Sequence, residues 1–189
     1  MNATPDLGPA TRRLARLLAR VTDEQLAAPT PCQEYAVRDL LAHLVHLTAA
    51  FRDAAKKQPG SAAELGLGED WRGRLAEQLD ELAVAWRSPD AWEGVTQAGG
   101  MEFPASLAGR IALNEVVLHG WDLARATGQP YDADPESLRC SYEMLAPVAD
   151  DPSRREMFGP PVPVPADAPL VDRVVALSGR SPSWSPPVE

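Results

Sequence analysis

Cysteine is nearly absent from the 189 residues: Cys32 and Cys140 are the two, and neither belongs to a CxxC pair. That excludes a disulfide framework and leaves two reduced thiols, as expected of a cytoplasmic protein. Aromatic residues make up only 6%, which argues against a sheet-dominated fold, because strands draw on aromatic and β-branched side chains. Basic residues are outnumbered, 18 against 27 acidic, for a formal net charge of −9. Arg12–Arg13 and Lys56–Lys57 are short pairs rather than a basic face, so nucleic acid is not an expected partner. No apolar run approaches the ~20 residues of a membrane span. The start, MNATPDLGPATRR, lacks the apolar stretch of a secretory signal. A phosphate loop, a dinucleotide fingerprint, a serine-nucleophile elbow and the doubled ExxH motif of a two-iron site are missing as well.

What remains is rich in Ala, Leu and Arg, with an ordinary apolar content of 44%, and it reads as helices. Leu14, Leu17 and Leu18 mark a helix over 10–21, followed by a short capped turn at Thr22-Asp23-Glu24. The prolines of PTPCQEY, residues 29–35, interrupt the chain. Leu40, Leu44, Leu47 and Phe51 predict a buried stripe on a longer helix over 36–57. QPGSAAELGLGED, residues 58–70, reads as a loop. Leu75, Leu79, Leu82 and Trp86 face inward from a third helix over 71–87, and 94–102 is a loop or a short extended piece. A fourth helix spans 104–127, stopped by Gly128 and Pro130, and Asp134-Pro135 opens a fifth that ends near Leu145. GPPVPVPADAP from Gly159 dictates an extended path, and 170–177 forms a short helix before a Pro/Ser-rich end with Trp184. The expectation is an all-α bundle over 1–150 with an extended strap over 151–189 packed on the same domain.

The fourth helix carries the chemistry. Leu107, Ile111 and Leu118 lie on one side and Leu113, Val116 and Val117 on the others, so it is apolar nearly all round and predicted to be buried. Within it Glu115, His119 and Asp122 form a polar stripe. A lone buried carboxylate costs several kcal/mol, roughly, unless it is paired, protonated or bound to a metal. Glu115 and His119 are four residues apart, with Cβ atoms about 6 Å from each other on one face. On the second helix, His43 sits between Leu40, Leu44 and Leu47, whereas His46 faces Ala42, Ala49 and Asp53, nearer the surface. His43 is therefore chosen as the third ligand, with His46 kept beside the site. Two histidines and a carboxylate with open coordination positions are a catalytic arrangement for zinc, and nickel, iron or manganese suit it too. The bland alternative is a helical ion pair with a core histidine. Asp122 either orients a ligand histidine through its other ring nitrogen or bridges to Arg125 or Arg38. Cys32 is a ligand, a nucleophile or an inert thiol.

PTPCQEYAVRDLLAHLVH and, far downstream, NEVVLHGWDLARATGQP resemble the DinB-like metalloenzyme superfamily, and within it the branch related to the mycothiol-dependent maleylpyruvate isomerases. The ending FGPPVPVPADAPLVDRVVALSGRSPSW is similar to that branch too, so the resemblance covers nearly the whole chain. It implies a DinB-like four-helix bundle with long connections and one metal on its axis, held by His43, Glu115 and His119. Tyr35 stands where this branch often carries Trp. The isomerase of this branch has a further C-terminal α/β domain, for which residues 150–189 are too short and too proline-rich, so maleylpyruvate isomerisation itself is not the expected reaction.

Three functions follow. The first is an enzyme in which one divalent ion activates a low-molecular-weight thiol for S-transfer or isomerisation of a small substrate, with His46 or Asp122 moving the proton. The second uses the same ion with water, as a hydrolase. The third is a non-catalytic protein that holds a metal or small ligand. Under each of them the expected state is a monomer or a homodimer.

Overall fold

The computed structural model describes residues 4–33, 35–60, 66–152 and 158–187. Part of the loop expected over 58–70, and the first stretch of the expected strap, lie outside the described residues. Four helices make the core: α1 (Gly8–Leu18), α2 (Val37–Ala55), α3 (Trp71–Ala85) and α4 (Ala105–Ala126). Each packs against two others, α1 and α2 both lying between α3 and α4. Two further helices, α5 (Pro135–Leu145) and α6 (Leu170–Leu177), follow, α5 against α4 and α6 against α5. The fold is all-α, and no described helix is long and apolar enough to cross a membrane.

The apolar stripes behave as their spacing requires. Leu14, Leu17 and Leu18 of α1 and Leu75, Leu79 and Leu82 of α3 are buried. On α2 the stripe is wider than expected: Leu41, Val45 and Thr48 join Leu40, Leu44 and Phe51, while Leu47 is only half-buried. A helix wedged between two neighbours buries an arc wider than one a/d seam. The helix ends are set by local chemistry. Asp39 accepts a hydrogen bond from the Ala36 N–H at the start of α2 (3.0 Å), and Asp134 caps α5 through the Ser137 N–H (2.9 Å).

The piece expected over 94–102 is an antiparallel hairpin that runs on to residue 104, β1 (Val95–Ala98) and β2 (Met101–Pro104), with Val95 opposite Pro104. Thr96 fixes it to the bundle by donating its hydroxyl to the Ala54 carbonyl at the end of α2 (2.6 Å). Below the hairpin, the rings of Trp86 and Trp92 meet edge to face at 4.9 Å. Gly109 of α4 passes directly against both rings: a Cβ there would stand 2.5 Å from Trp92 and 2.7 Å from Trp86. Glycine in mid-helix costs about 1 kcal/mol, and this contact is the reason α4 tolerates it.

The C-terminal segment returns to α4. The Val162 N–H bonds the Ala176 carbonyl (2.9 Å), and Arg125 of α4 holds the Trp184 carbonyl through its Nε (3.0 Å) and its Nη2. Gly159 and Gly179 cross closely, and Gly179 has φ +84. A side chain at Gly179 would meet the Gly159 backbone at 2.8 Å.

Candidate metal centre

His43 from α2 and Glu115 and His119 from α4 converge at one end of a cavity of about 970 Å³. One ligand atom from each lies within 4.8 Å of the other two. Glu115 Oε2 stands between the imidazoles, 3.1 Å from His119 Nε2 and 3.7 Å from His43 Nε2. Metal–ligand bonds of about 2.0–2.2 Å at tetrahedral angles separate donor atoms by roughly 3.3 Å. Both distances bracket that spacing, and the donor set of two imidazoles and a carboxylate suits zinc and its first-row neighbours. The residues therefore fit a divalent ion. Among the described residues this is the one group of three or more His, Cys, Asp or Glu side chains so arranged.

Exposure grades across the site: the His119 side chain is 7% exposed, Glu115 19% and His43 34%. The open side faces the cavity, whose lining includes Cys32, Tyr35, Phe103, Asn114, Phe158 and Arg180. The loop before α2 is held in place by Thr30, whose hydroxyl donates to the Tyr35 carbonyl (2.7 Å) and accepts from the Cys32 N–H (3.2 Å). Tyr35 then rests against His43, ring centres 5.5 Å apart.

A chain of contacts runs behind His119. Its Nδ1 is 3.0 Å from Asp122 Oδ2. A carboxylate only accepts, so Nδ1 carries a proton, and Nε2 is the nitrogen turned toward Glu115. Asp122, fully buried, is gripped in turn by Arg180 through Nε to Oδ1 (2.7 Å) and Nη2 to Oδ2 (2.8 Å). The expected partners Arg125 and Arg38 do not fill this place: Arg125 is turned to Trp184, and the arginine comes from the segment after α6. Burial resists charge on Asp122, but Arg180 and His119 outweigh it and hold the carboxyl below its usual range. Burial likewise pulls His119 down, yet Asp122 and Glu115 overcome it and push the imidazole up to about 9. Glu115, despite burial, is held well below the usual carboxylate range by His119 and His43.

Of the residues singled out in the sequence, His43, Glu115, His119 and Cys32 line the cavity, and Asp122 sits behind His119. His46, half-buried one turn along α2 from His43, is not in that lining. Sequence reasoning missed Arg180 and Asn114. Arg180 is 58 residues from Asp122 and no local pattern joins them. Asn114 did leave a signal, as an amide beside Glu115 in an otherwise apolar helix.

The profile of the family described as "Mycothiol maleylpyruvate isomerase N-terminal domain" matches residues 7–124. Two proteins of Mycobacterium tuberculosis, "Uncharacterized protein Rv0738" of strain H37Rv and "Uncharacterized protein MT0763" of strain CDC 1551, are each 30% identical over 176 residues. That alignment spans 88% of this chain and 91% of theirs. Among solved structures, the crystal structure of the mycothiol-dependent maleylpyruvate isomerase superposes with a TM-score of 0.54 at 21% identity, over 74% of this chain and 67% of that one. A mutant of the same enzyme superposes equally well at 20% identity. At such identity the likeness speaks for the fold, and the family match stands on the profile. The chain belongs to the family of the mycothiol maleylpyruvate isomerase N-terminal domain.

Proposed function

We propose that this protein is a metal-dependent enzyme that uses a low-molecular-weight thiol to transfer sulfur to, or isomerise, a small electrophilic substrate. His43, Glu115 and His119 hold one divalent ion, zinc foremost. When bound, the ion supplies Lewis acidity that favours the thiolate over the thiol at neutral pH. Asp122 keeps His119 in the tautomer that presents Nε2, and Arg180 keeps Asp122 ionised and oriented. Phe103, Leu107, Ile111 and Phe158 give the cavity apolar walls that exclude water from the reacting atoms.

The observation that carries this reading is the count and direction of the donors. Three protein ligands, open on one side to a cavity large enough for a small molecule, are an arrangement for catalysis, whereas structural zinc sites close with a fourth protein ligand. The thiol in this reading is supported by the family, whose description names mycothiol. His46, outside the lining, is given no part in proton transfer.

Elemental analysis tests the ion. Wild-type protein is expected to hold about one equivalent of metal after reconstitution, and His119→Ala and Glu115→Ala to lose it. Equal metal content in all three proteins, or none in the wild type, refutes the proposal.

A further inference from the structure

A second pocket, of about 330 Å³, lies where the second half of α1 meets the turn that follows α4. Arg13, Arg16, Leu17 and Arg20 recur at steps of three and four, so they share one face of α1 and the turn that ends it. Ala19, Gln129 and Pro130 complete the lining, and none of it belongs to the cavity of the metal centre. Two hydrogen bonds hold the walls together. Arg13 Nη2 donates to the Pro130 carbonyl (2.7 Å), and Gln129 Nε2 donates to the Leu17 carbonyl (3.1 Å). The Arg20 N–H bonds that same Leu17 carbonyl (3.1 Å) and carries the last turn on to the pocket.

Three arginines at one pocket stand out in a chain whose net charge is −9. Arg52, Arg72, Arg139 and Arg180 each meet a carboxylate at 2.7–2.8 Å. Among the described residues, Arg13, Arg16 and Arg20 form no ion pair, although like charges at steps of three and four weaken a helix. The negative end of α1 favours a cation in its last turn, the place of Arg16. It explains neither Arg13, farther up the helix, nor the gathering of all three round a hollow. An anion explains both. A carboxylate brings one charge and two oxygens, too little for three guanidinium groups. A phosphomonoester brings nearly two charges at neutral pH and three oxygens, each suited to the forked N–H groups of arginine. The volume is that of a small-molecule site. We propose that this pocket binds a small phosphomonoester, with Arg13, Arg16 and Arg20 on the phosphate and Leu17, Ala19 and Pro130 against its organic part.

Calorimetry on the zinc-loaded full-length protein, in phosphate-free buffer at low salt, tests this with inorganic phosphate, phenyl phosphate and benzoate. Phenyl phosphate is expected to bind wild type with a Kd of about 1 mM or below. It should bind tighter than inorganic phosphate, because its ring adds apolar contact, and at least about tenfold tighter than benzoate. Arg16→Gln and Arg20→Gln, both at exposed positions, are each expected to weaken it about tenfold, and the double variant about a hundredfold, with metal content unchanged. Amide shifts in a proton–nitrogen correlation spectrum locate the ligand, and movement at residues 13–20 and 129 supports the site. Absence of phenyl phosphate binding overturns the proposal, as does benzoate binding equally tightly. Affinity that persists in the double variant, or shifts confined to residues 115–119, puts the anion on the metal and also overturns it. None of these results bears on the metal–thiol reading, which elemental analysis decides separately.

Discussion

Replacing Asp122 by Asn keeps the size and shape of the side chain and removes its charge, which separates what the carboxylate does from what it fills. Two partners depend on it. Arg180, whose side chain is 10% exposed, would be left as a buried cation without its carboxylate. Breaking such a pair from one side costs about 3–5 kcal/mol. His119 would lose a charged acceptor for its Nδ1–H, and with the carboxamide oxygen in the place of Oδ2 the amide NH2 would replace Oδ1 and meet the Arg180 Nε–H, donor against donor. Loss of a partner that orients a metal-binding histidine lowers affinity about 10–100-fold, or roughly 1.4–2.7 kcal/mol. Urea unfolding of the metal-free protein reads the first effect, and zinc competition against a chelator reads the second. Arg180→Met provides the contrast: it should destabilise comparably, with a smaller change in zinc affinity, because His119 keeps its carboxylate. If Asp122→Asn unfolds at the wild-type midpoint and binds zinc within about twofold of wild type, the line from Arg180 through Asp122 to His119 does not support the centre, and the reasoning fails.

The same centre sets a pH dependence. In the metal-free protein His119 is raised from 6.5 to about 9, so its stabilising contribution is complete below 6.5 and is lost as pH climbs through 9. Glu115 is lowered from 4.5, so its contribution is present above 4.5 and is lost on acidification below that. Urea midpoints of the metal-free protein should therefore be highest between these limits and fall on both sides. Metal binding must displace the His119 proton, and zinc affinity measured by competition should rise about tenfold per pH unit between roughly pH 7 and 8; a flat profile there would show that His119 is already neutral. Away from the site, Gly109→Ala should destabilise by about 1–3 kcal/mol in denaturant unfolding, although Ala is the better helix former by about 1 kcal/mol. A stabilised Gly109→Ala would mean that the two tryptophans yield freely.

The sequence by itself determined the helices and the core of the site. Helical periodicity is a local property, so Leu14, Leu17 and Leu18, or Leu75, Leu79 and Leu82, announce a buried face wherever the helix is later placed. The pairing of Glu115 with His119 was legible for the same reason, since four residues are one turn of a helix whatever surrounds it. His43 could be named because only three histidines exist and one of them lay on the shoulder of an apolar stripe. Boundaries moved by up to three residues, as helix ends depend on caps and fraying more than on pattern. The hairpin at Val95–Pro104 was half-seen as a short extended piece; its strands are four residues each, too short for alternation to declare itself, and Thr96 ties it to α2 from 42 residues away.

Only the tertiary structure decided the partner of Asp122 and the wall of the cavity. A charge pair between positions 122 and 180 has no period and no motif. It exists because the segment after α6 folds back along α4, held by Arg125 on the Trp184 carbonyl and by the close crossing of Gly159 and Gly179. The amide of Asn114, unmet among the described residues, is likewise a fact about which side chains reach it, and that is visible only once the neighbours have positions. Covalent spacing along one helix is fixed by the backbone, whereas contact between distant segments is fixed by how their surfaces pack, and that is why the Glu115–His119 pair could be read from the chain and its surroundings could not.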